Sequence, residues 1–72
     1  MELSARNQLP GVIKAIQFDG VMAEVSLQVG DNEVVSVITR ASAERLGLKV
    51  GDQVAAIVKA TEVMTGKRPD HQ

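Results

Sequence analysis

The sequence of 72 residues contains no cysteine and only one histidine, His71. Disulfide bonds are therefore excluded, and the set of nitrogen and sulfur ligands that a structural zinc ion needs is missing. A chain this short buries only roughly 60% of the surface that its unfolded form exposes, so its own core gives it marginal stability. Because the usual covalent and metal supports are missing, we expect oligomerisation to supply the rest.

Aromatic residues and net charge are also scarce. Phe18 is the only aromatic residue, and the formal net charge is -1 at pH 7. Barrels that bind nucleic acid stack bases on several aromatic side chains and attract phosphates with basic ones, so we expect neither nucleic acid nor an anionic membrane surface as a partner. No apolar run reaches the roughly 18 residues of a membrane span, and the first residues lack the parts of a signal peptide. These features predict a cytoplasmic protein.

The sequence offers no arrangement of residues typical of catalysis. Its serines have no histidine outside the C-terminal end to activate them, and there is no cysteine nucleophile. Most of its carboxylates fall in predicted turns or on the polar face of a strand, where solvated surface charges are the usual outcome. Gly47 and Gly51 follow the predicted helix, whereas a glycine-rich phosphate loop precedes one. The two glycines therefore indicate a helix end and a turn. We therefore predict a binding protein and not an enzyme.

Short apolar runs separated by turn residues dominate the rest of the chain. From Val21 to Val29 every second residue is apolar, which predicts a strand with one buried face. Asp19-Gly20 is a hairpin signal that joins this strand to an earlier, less regular run from Val12 to Phe18. The cluster Gly30-Asp31-Asn32 then turns the chain into a third strand, Glu33 to Ile38.

After the third strand the spacing of the apolar residues changes from every second residue to the spacing of a helix. Thr39 or Ser42 is placed to cap the first amides of a short helix, and Gly47 is placed to end it in a left-handed conformation. A fourth strand from Val54 to Ala60 and a last extended piece from Thr61 to Val63 complete the pattern. The apolar residues that fit the helix are Ala41, Ala43 and Leu46.

These elements predict a mainly β fold, a small OB-like antiparallel barrel of five strands with one short helix between strands 3 and 4. Residues 1–64 are expected to form the single domain and residues 65–72 a flexible tail. The third and fourth strands are apolar on both faces, whereas a small barrel has only one interior. We expect the second apolar face to meet another subunit; scattered apolar surface residues are the alternative.

One stretch near the start of the chain, Ser4, Ala5, Arg6 and Asn7, combines a hydroxyl, a guanidinium and an amide. Together with backbone N–H groups these are hydrogen-bond donors, and such a set suits a small oxyanion. Lys59 in the last strand adds a second positive charge if the two chain ends meet, as they commonly do in small domains. The alternative is that the stretch is only a polar lead-in to the first strand.

Several short segments form a wider pattern: Ser4-Ala5-Arg6-Asn7-Gln8-Leu9, Gly11, Glu24-Val25, Ile38-Thr39, Ser42, Leu46-Gly47-Leu48, Gly51-Asp52 and Val58-Lys59-Ala60. The pattern resembles the molybdenum-binding Mop family, the molbindins, over about residues 2 to 64. The opening segment from Ser4 to Leu9 is specific to that family, whereas the glycine turns are not. The resemblance implies a stand-alone module for intracellular molybdenum storage and homeostasis.

Members of the Mop family assemble into homohexamers, arranged as trimers of dimers, and hold molybdate or tungstate at subunit interfaces. The resemblance therefore implies an oxyanion as the ligand, with no metal ion coordinated directly by side chains. Ser4 and Arg6 would act through their side chains, and Ala5 and Ala60 through their backbone N–H groups. The residues that the resemblance assigns to the main site are Ser4, Ala5, Arg6, Asn7, Lys59, Ala60 and Thr61.

A secondary oxyanion site and two other functions stay open. Thr39 and Ser42 are candidates for the secondary site because a helix N-terminus favours anions, and plain capping of the helix is the alternative. Ile38-Thr39 followed by residues 45–54 is also similar to the signature of DNA-binding regulators of the swapped-hairpin type, although the slightly acidic balance opposes that function. The other possibility is an assembly module whose pocket is vestigial.

Overall fold

The computed structural model describes residues 6–69, and more than half of these residues lie in four β-strands. The strands form one antiparallel sheet in the order β3-β2-β1-β4. The only α-helix among residues 6–69 is too short to cross a membrane. The elements in chain order are β1 (Asn7–Asp19), β2 (Met22–Val29), β3 (Asn32–Thr39), α1 (Arg40–Leu46), β4 (Gln53–Val58) and a 3-10 turn (Ala60–Glu62).

Two tight hairpins connect β1 to β2 and β2 to β3. Each loop has two residues and begins with a glycine of positive φ, 60° at both Gly20 and Gly30. Glycine at the first loop position is the residue that such hairpins require, because a side chain there would clash in the left-handed region. Both turns lie where the glycines of the sequence predicted them.

The helix α1 begins and ends at the predicted residues. Thr39 is its N-cap, where the side-chain oxygen accepts a hydrogen bond from the backbone N–H of Ser42. Gly47 ends it in the left-handed conformation, with φ 64° and ψ 36°. Between these caps the helix buries Ala43 and lies against β2 and β3.

The sheet curls into a half-barrel around a small apolar core. The core lies on the inner face and is formed by only a few fully buried side chains, and Ile13 is the largest with 1% exposure. The inner face is open between the two edge strands, β3 and β4, which are not paired with each other. The buried residues are Ile13, Ala23, Val25, Leu27, Ala43 and Ala56.

The structure confirms the mainly β class and the single helix between the third and fourth strands, but it has four strands where five were predicted. β4 ends at Val58, opposite Asn7, the first residue of β1, so the following residues have no partner strand within residues 6–69. The predicted extended piece at 61–63 is instead a 3-10 turn and its C-cap. Local hydrogen bonds replace a strand ladder there: Glu62 donates to the Lys59 carbonyl and Val63 to the Ala60 carbonyl.

Strand β1 is longer than predicted and begins at Asn7 instead of Val12. Pro10 is tolerated in it because β1 pairs only with β4 at that point, and pairing with β2 starts at Val12. At Gly11 a Cβ atom would lie 2.7 Å from the carbonyl oxygen of Gln28, so only glycine fits this close strand contact. A register shift beside Lys14 then bends the strand.

Candidate functional site

Strands β1 and β4 bring the two donor-rich segments of the sequence to the same end of the sheet. Asn7 pairs with Val58, and Gln8 pairs with Ile57. Arg6 and Lys59 are the next residues along these antiparallel strands, so the fold makes neighbours of two positive residues from opposite ends of the chain. Arg6 and Lys59 become neighbours only because β1 pairs with β4, and no short stretch of the sequence predicts that pairing.

The two positive charges have no acidic partner within residues 6–69. Arg6 and Lys59 are both exposed, and the ion pair found among the described residues lies elsewhere, between Lys14 and Glu33 at 2.9 Å. Like charges on adjacent strands destabilise a sheet unless an opposite charge lies near them. Such a pair at the end of a sheet is the electrostatic arrangement expected of an anion site.

The 3-10 turn adds backbone donors next to Lys59. Lys59 is the N-cap of the turn, and Ala60 and Thr61 are its first two residues, both exposed. The first N–H groups of a helical turn have no partner within the turn, so they are directed outward to a ligand or to water. The turn also contains an exposed carboxylate at Glu62, which an anion bound here must avoid.

Five of the predicted site residues are described by the structure, and Ser4 and Ala5 lie outside the described residues. Arg6, Lys59, Ala60 and Thr61 are exposed, and Asn7 is half-buried at the start of β1. The two cations and the amides of the turn share one end of the sheet.

Gln8 is not among the residues predicted from the sequence to form the site, yet it lies at the same end of β1. Its exposed side chain lies on the face of β1 opposite to that of Asn7, because side chains alternate along a strand. By the same alternation Arg6 belongs on the face of Gln8. The signal in the sequence was weak, since Pro10 and Gly11 obscure the strand pattern that places these two residues together.

The candidate secondary site at the start of α1 is occupied by capping hydrogen bonds. The Thr39 hydroxyl donates to Ser42 Oγ at 2.8 Å, and Thr39 Oγ1 accepts from the Ser42 backbone N–H at 3.1 Å. The polar groups of Thr39 and Ser42 therefore bond to each other and cap the helix. Among residues 6–69 there is also no cluster of three or more histidine, cysteine or acidic side chains that could hold a metal ion directly.

Two curated relatives cover nearly all of this chain. Molybdenum-pterin-binding protein 2 of Clostridium pasteurianum is 45% identical over 65 residues, which are 89% of this chain and 96% of the relative. Molybdenum transport protein ModE of Azotobacter vinelandii is 43% identical over 70 residues, which are 96% of this chain but 26% of the relative. The chain thus spans about a quarter of the length of that second protein.

Solved structures and a family model agree with these relatives. A molybdate binding protein from Sporomusa ovata superposes with a TM-score of 0.89 at 40% identity, over 93% of this chain and 100% of that chain. The cytoplasmic molybdate-binding protein ModG, solved with molybdate bound, has a TM-score of 0.78 at 41% identity, over 83% of this chain and 43% of its own. The model of the TOBE domain matches residues 3–65. The chain therefore belongs to the TOBE domain family.

Proposed function

We propose that this protein binds molybdate, and tungstate with it, as a non-enzymatic oxyanion-binding protein. The single observation that carries the proposal is the pair of positive residues, Arg6 and Lys59, that β1 and β4 bring together without an acidic partner in residues 6–69. The relatives support the choice of ligand, since those from Sporomusa ovata and the ModG protein are described as molybdate-binding.

The chemistry of the proposed site favours a fully deprotonated oxyanion. Arg6 supplies charge and a forked pair of donors, Lys59 supplies a second charge, and the turn at Ala60 supplies backbone N–H groups. Molybdate and tungstate are tetrahedral dianions without protons at neutral pH. Phosphate still carries a proton in part, and a pocket lined with donors offers that proton no acceptor. The proposed site therefore selects against phosphate by hydrogen-bond chemistry.

We further propose that the site is completed between subunits of a homohexamer, a trimer of dimers. Twelve large apolar side chains are exposed among the described residues, whereas the buried core has six residues. A chain with this distribution has a small core and a large apolar surface that association would bury. Assembly also explains how Arg6 and Lys59, which are exposed in a single chain, become part of an enclosed site. Ser4 and Ala5 belong to the proposed site through the sequence pattern.

The proposed role is to store and buffer molybdate in the cytoplasm. ModG, which has the same fold over most of this chain, is described as a cytoplasmic molybdate-binding protein. Storage needs binding without turnover, and the proposed site consists of donors and fixed charges, with no histidine among its residues to activate the Ser4 hydroxyl.

Calorimetric titration with molybdate tests this function. Wild-type protein should release or absorb heat on binding and should gain about 2.7 kcal/mol of stability at a molybdate concentration of 100 times Kd. Arg6→Ala should lose most of this binding while its sedimentation coefficient stays that of the wild type. Arg45→Ala is the matched control, because Arg45 is an exposed arginine on α1, outside the β1–β4 strand pair that carries the proposed site.

Three results would contradict the proposal. A folded wild-type oligomer that neither binds molybdate nor gains thermal stability at millimolar ligand would show that the pocket is vestigial. Equal affinities of Arg6→Ala and wild type would remove Arg6 from the site. Binding of mixed-sequence DNA that weakens steeply with salt would instead indicate the DNA-binding function.

A further inference from the structure

A surface near the β1–β2 turn plays no part in the proposed oxyanion site. The cross-strand register of β1, β2 and β3 puts all but one of its residues on a single face of the sheet, the exception being Phe18 at its border. We call this surface the hairpin patch. It is lined by Gln17, Phe18, Asp19, Met22, Glu24 and Val37.

The hairpin patch alternates apolar and acidic residues, since Asp19 lies opposite Met22 and Glu24 lies opposite Val37 in the strand register. Phe18, Met22 and Val37 are large apolar residues that stay exposed, Val37 by 60%. The carboxylates of Asp19 and Glu24 are exposed as well and form no ion pair within residues 6–69. A surface of this kind fits a partner that presents apolar side chains followed by positive charges.

One cation borders the patch but is already engaged. The Arg40 guanidinium lies 4.5 Å from the centroid of the Phe18 ring and donates through Nε to the Gly20 carbonyl at 2.9 Å. Its backbone N–H also bonds to the Val21 carbonyl. Arg40 therefore holds the ring and the turn in place, and leaves the two carboxylates open to an external cation.

The end of the described chain has the complementary chemistry. Residues 63–69, which we call the C-terminal segment, have no regular structure, and every one of them is exposed. The segment begins with Val63 and Met64, the latter 93% exposed, and continues to Lys67 and Arg68. The two apolar and two basic residues of the segment are complementary to the apolar and acidic residues of the hairpin patch.

The C-terminal segment is too short to reach the hairpin patch of its own chain. The C-terminal segment follows β4, whose end lies opposite Asn7, whereas the patch lies at the other end of the 13-residue strand β1. Strand β1 spans about 40 Å at ~3.3 Å per residue. The segment itself spans about 21 Å when fully extended. A second copy is therefore the source of a segment that reaches the patch.

We propose that the C-terminal segment of one copy docks on the hairpin patch of a second copy. Met64 then packs beside Met22 and Val37, while Lys67 and Arg68 face Asp19 and Glu24. The contact joins two different surfaces, so it is either reciprocal between two copies, as in a dimer, or continues from copy to copy around a ring. Both arrangements are compatible with a trimer of dimers, and the contact goes beyond the proposed function by naming the surfaces that join its subunits.

Cysteine cross-linking tests the contact, because the chain has no cysteine of its own. Met22→Cys combined with Met64→Cys should give intermolecular disulfides on mild oxidation, seen as chains of two and more on a non-reducing gel. The matched control combines Met64→Cys with Glu44→Cys, which places the second thiol on the exposed side of α1. An intramolecular disulfide, or a yield no higher than that of the control pair, would overturn the proposal.

Reversing charges in the protein that carries Met22→Cys and Met64→Cys provides a second test of the contact. Lys67→Glu with Arg68→Glu lies in an exposed segment, so the chain still folds, and it should lower the cross-linking rate about tenfold. Adding Asp19→Lys and Glu24→Lys should restore the rate by exchanging the two signs. A rate unaffected by either reversal would refute the contact. The measurement contains no molybdate, so its outcome is independent of whether the Arg6 site binds an oxyanion.

Discussion

Replacement of Gly11 by alanine tests the close contact between β1 and β2 with a single methyl group. The new Cβ would lie 2.7 Å from the Gln28 carbonyl oxygen and 2.9 Å from Val29 Cγ2. A backbone carbonyl in a strand cannot rotate away, so β1 and β2 must separate locally. Overpacking of this kind costs ~1–3 kcal/mol. The lower chain entropy of unfolded alanine offsets ~0.4–1 kcal/mol of that cost.

The net expectation for Gly11→Ala is a loss of about 1.5 kcal/mol, which lowers Tm by about 6–12 °C in a domain of this size. Thermal denaturation followed by circular dichroism measures it, at one protein concentration because association raises Tm. Gly66→Ala is the matched control, since its Cβ meets nothing within 4 Å and its φ is not positive. If Gly11→Ala melts no lower than Gly66→Ala, the close strand contact is not what the structure describes.

Three further substitutions test the core, the helix cap and the surface ion pair. Ile13→Ala removes the largest fully buried side chain and should cost ~2–5 kcal/mol in urea denaturation; a cost below ~1 kcal/mol would mean that the core lies elsewhere. Thr39→Ala removes the acceptor of the Ser42 N–H and should cost about 1 kcal/mol, and an unchanged midpoint would argue against this cap. Lys14→Met breaks the ion pair with Glu33, whose side chains are 44% and 52% exposed, and should change stability by less than ~0.5 kcal/mol. A larger loss that disappears in high salt would show that the pair is better shielded than its exposure implies.

Elements specified by local residues were predictable from the sequence. The alternation from Val21 to Val29 located β2, and the capping residues Thr39 and Gly47 located both ends of α1. Each of these signals acts over a few residues. A strand exposes alternate side chains, an N-cap needs one acceptor, and a helix that ends with a residue of left-handed conformation favours glycine there. Nothing distant has to be known to interpret them.

The beginning of β1 and the end of β4 could not be predicted in this way. Pro10 and Gly11 are poor strand residues, and nothing around them indicates that β1 starts at Asn7. The strand exists there because β4 pairs with it from the far end of the chain. The extended piece expected at 61–63 did not form as a strand, because no strand pairs with it among the described residues.

The sequence by itself determined the turns, the helix and its caps, the alternating strand, and the donor chemistry of Arg6, Asn7 and Lys59. Only the tertiary structure decided that Arg6 and Lys59 are neighbours, that the sheet stops as a half-barrel, and that the hairpin patch lies far along β1 from the C-terminal segment. The physical reason is the range of the forces involved. Backbone sterics and side-chain alternation are local, whereas strand pairing is a choice among distant partners that is fixed when the core packs around Ile13.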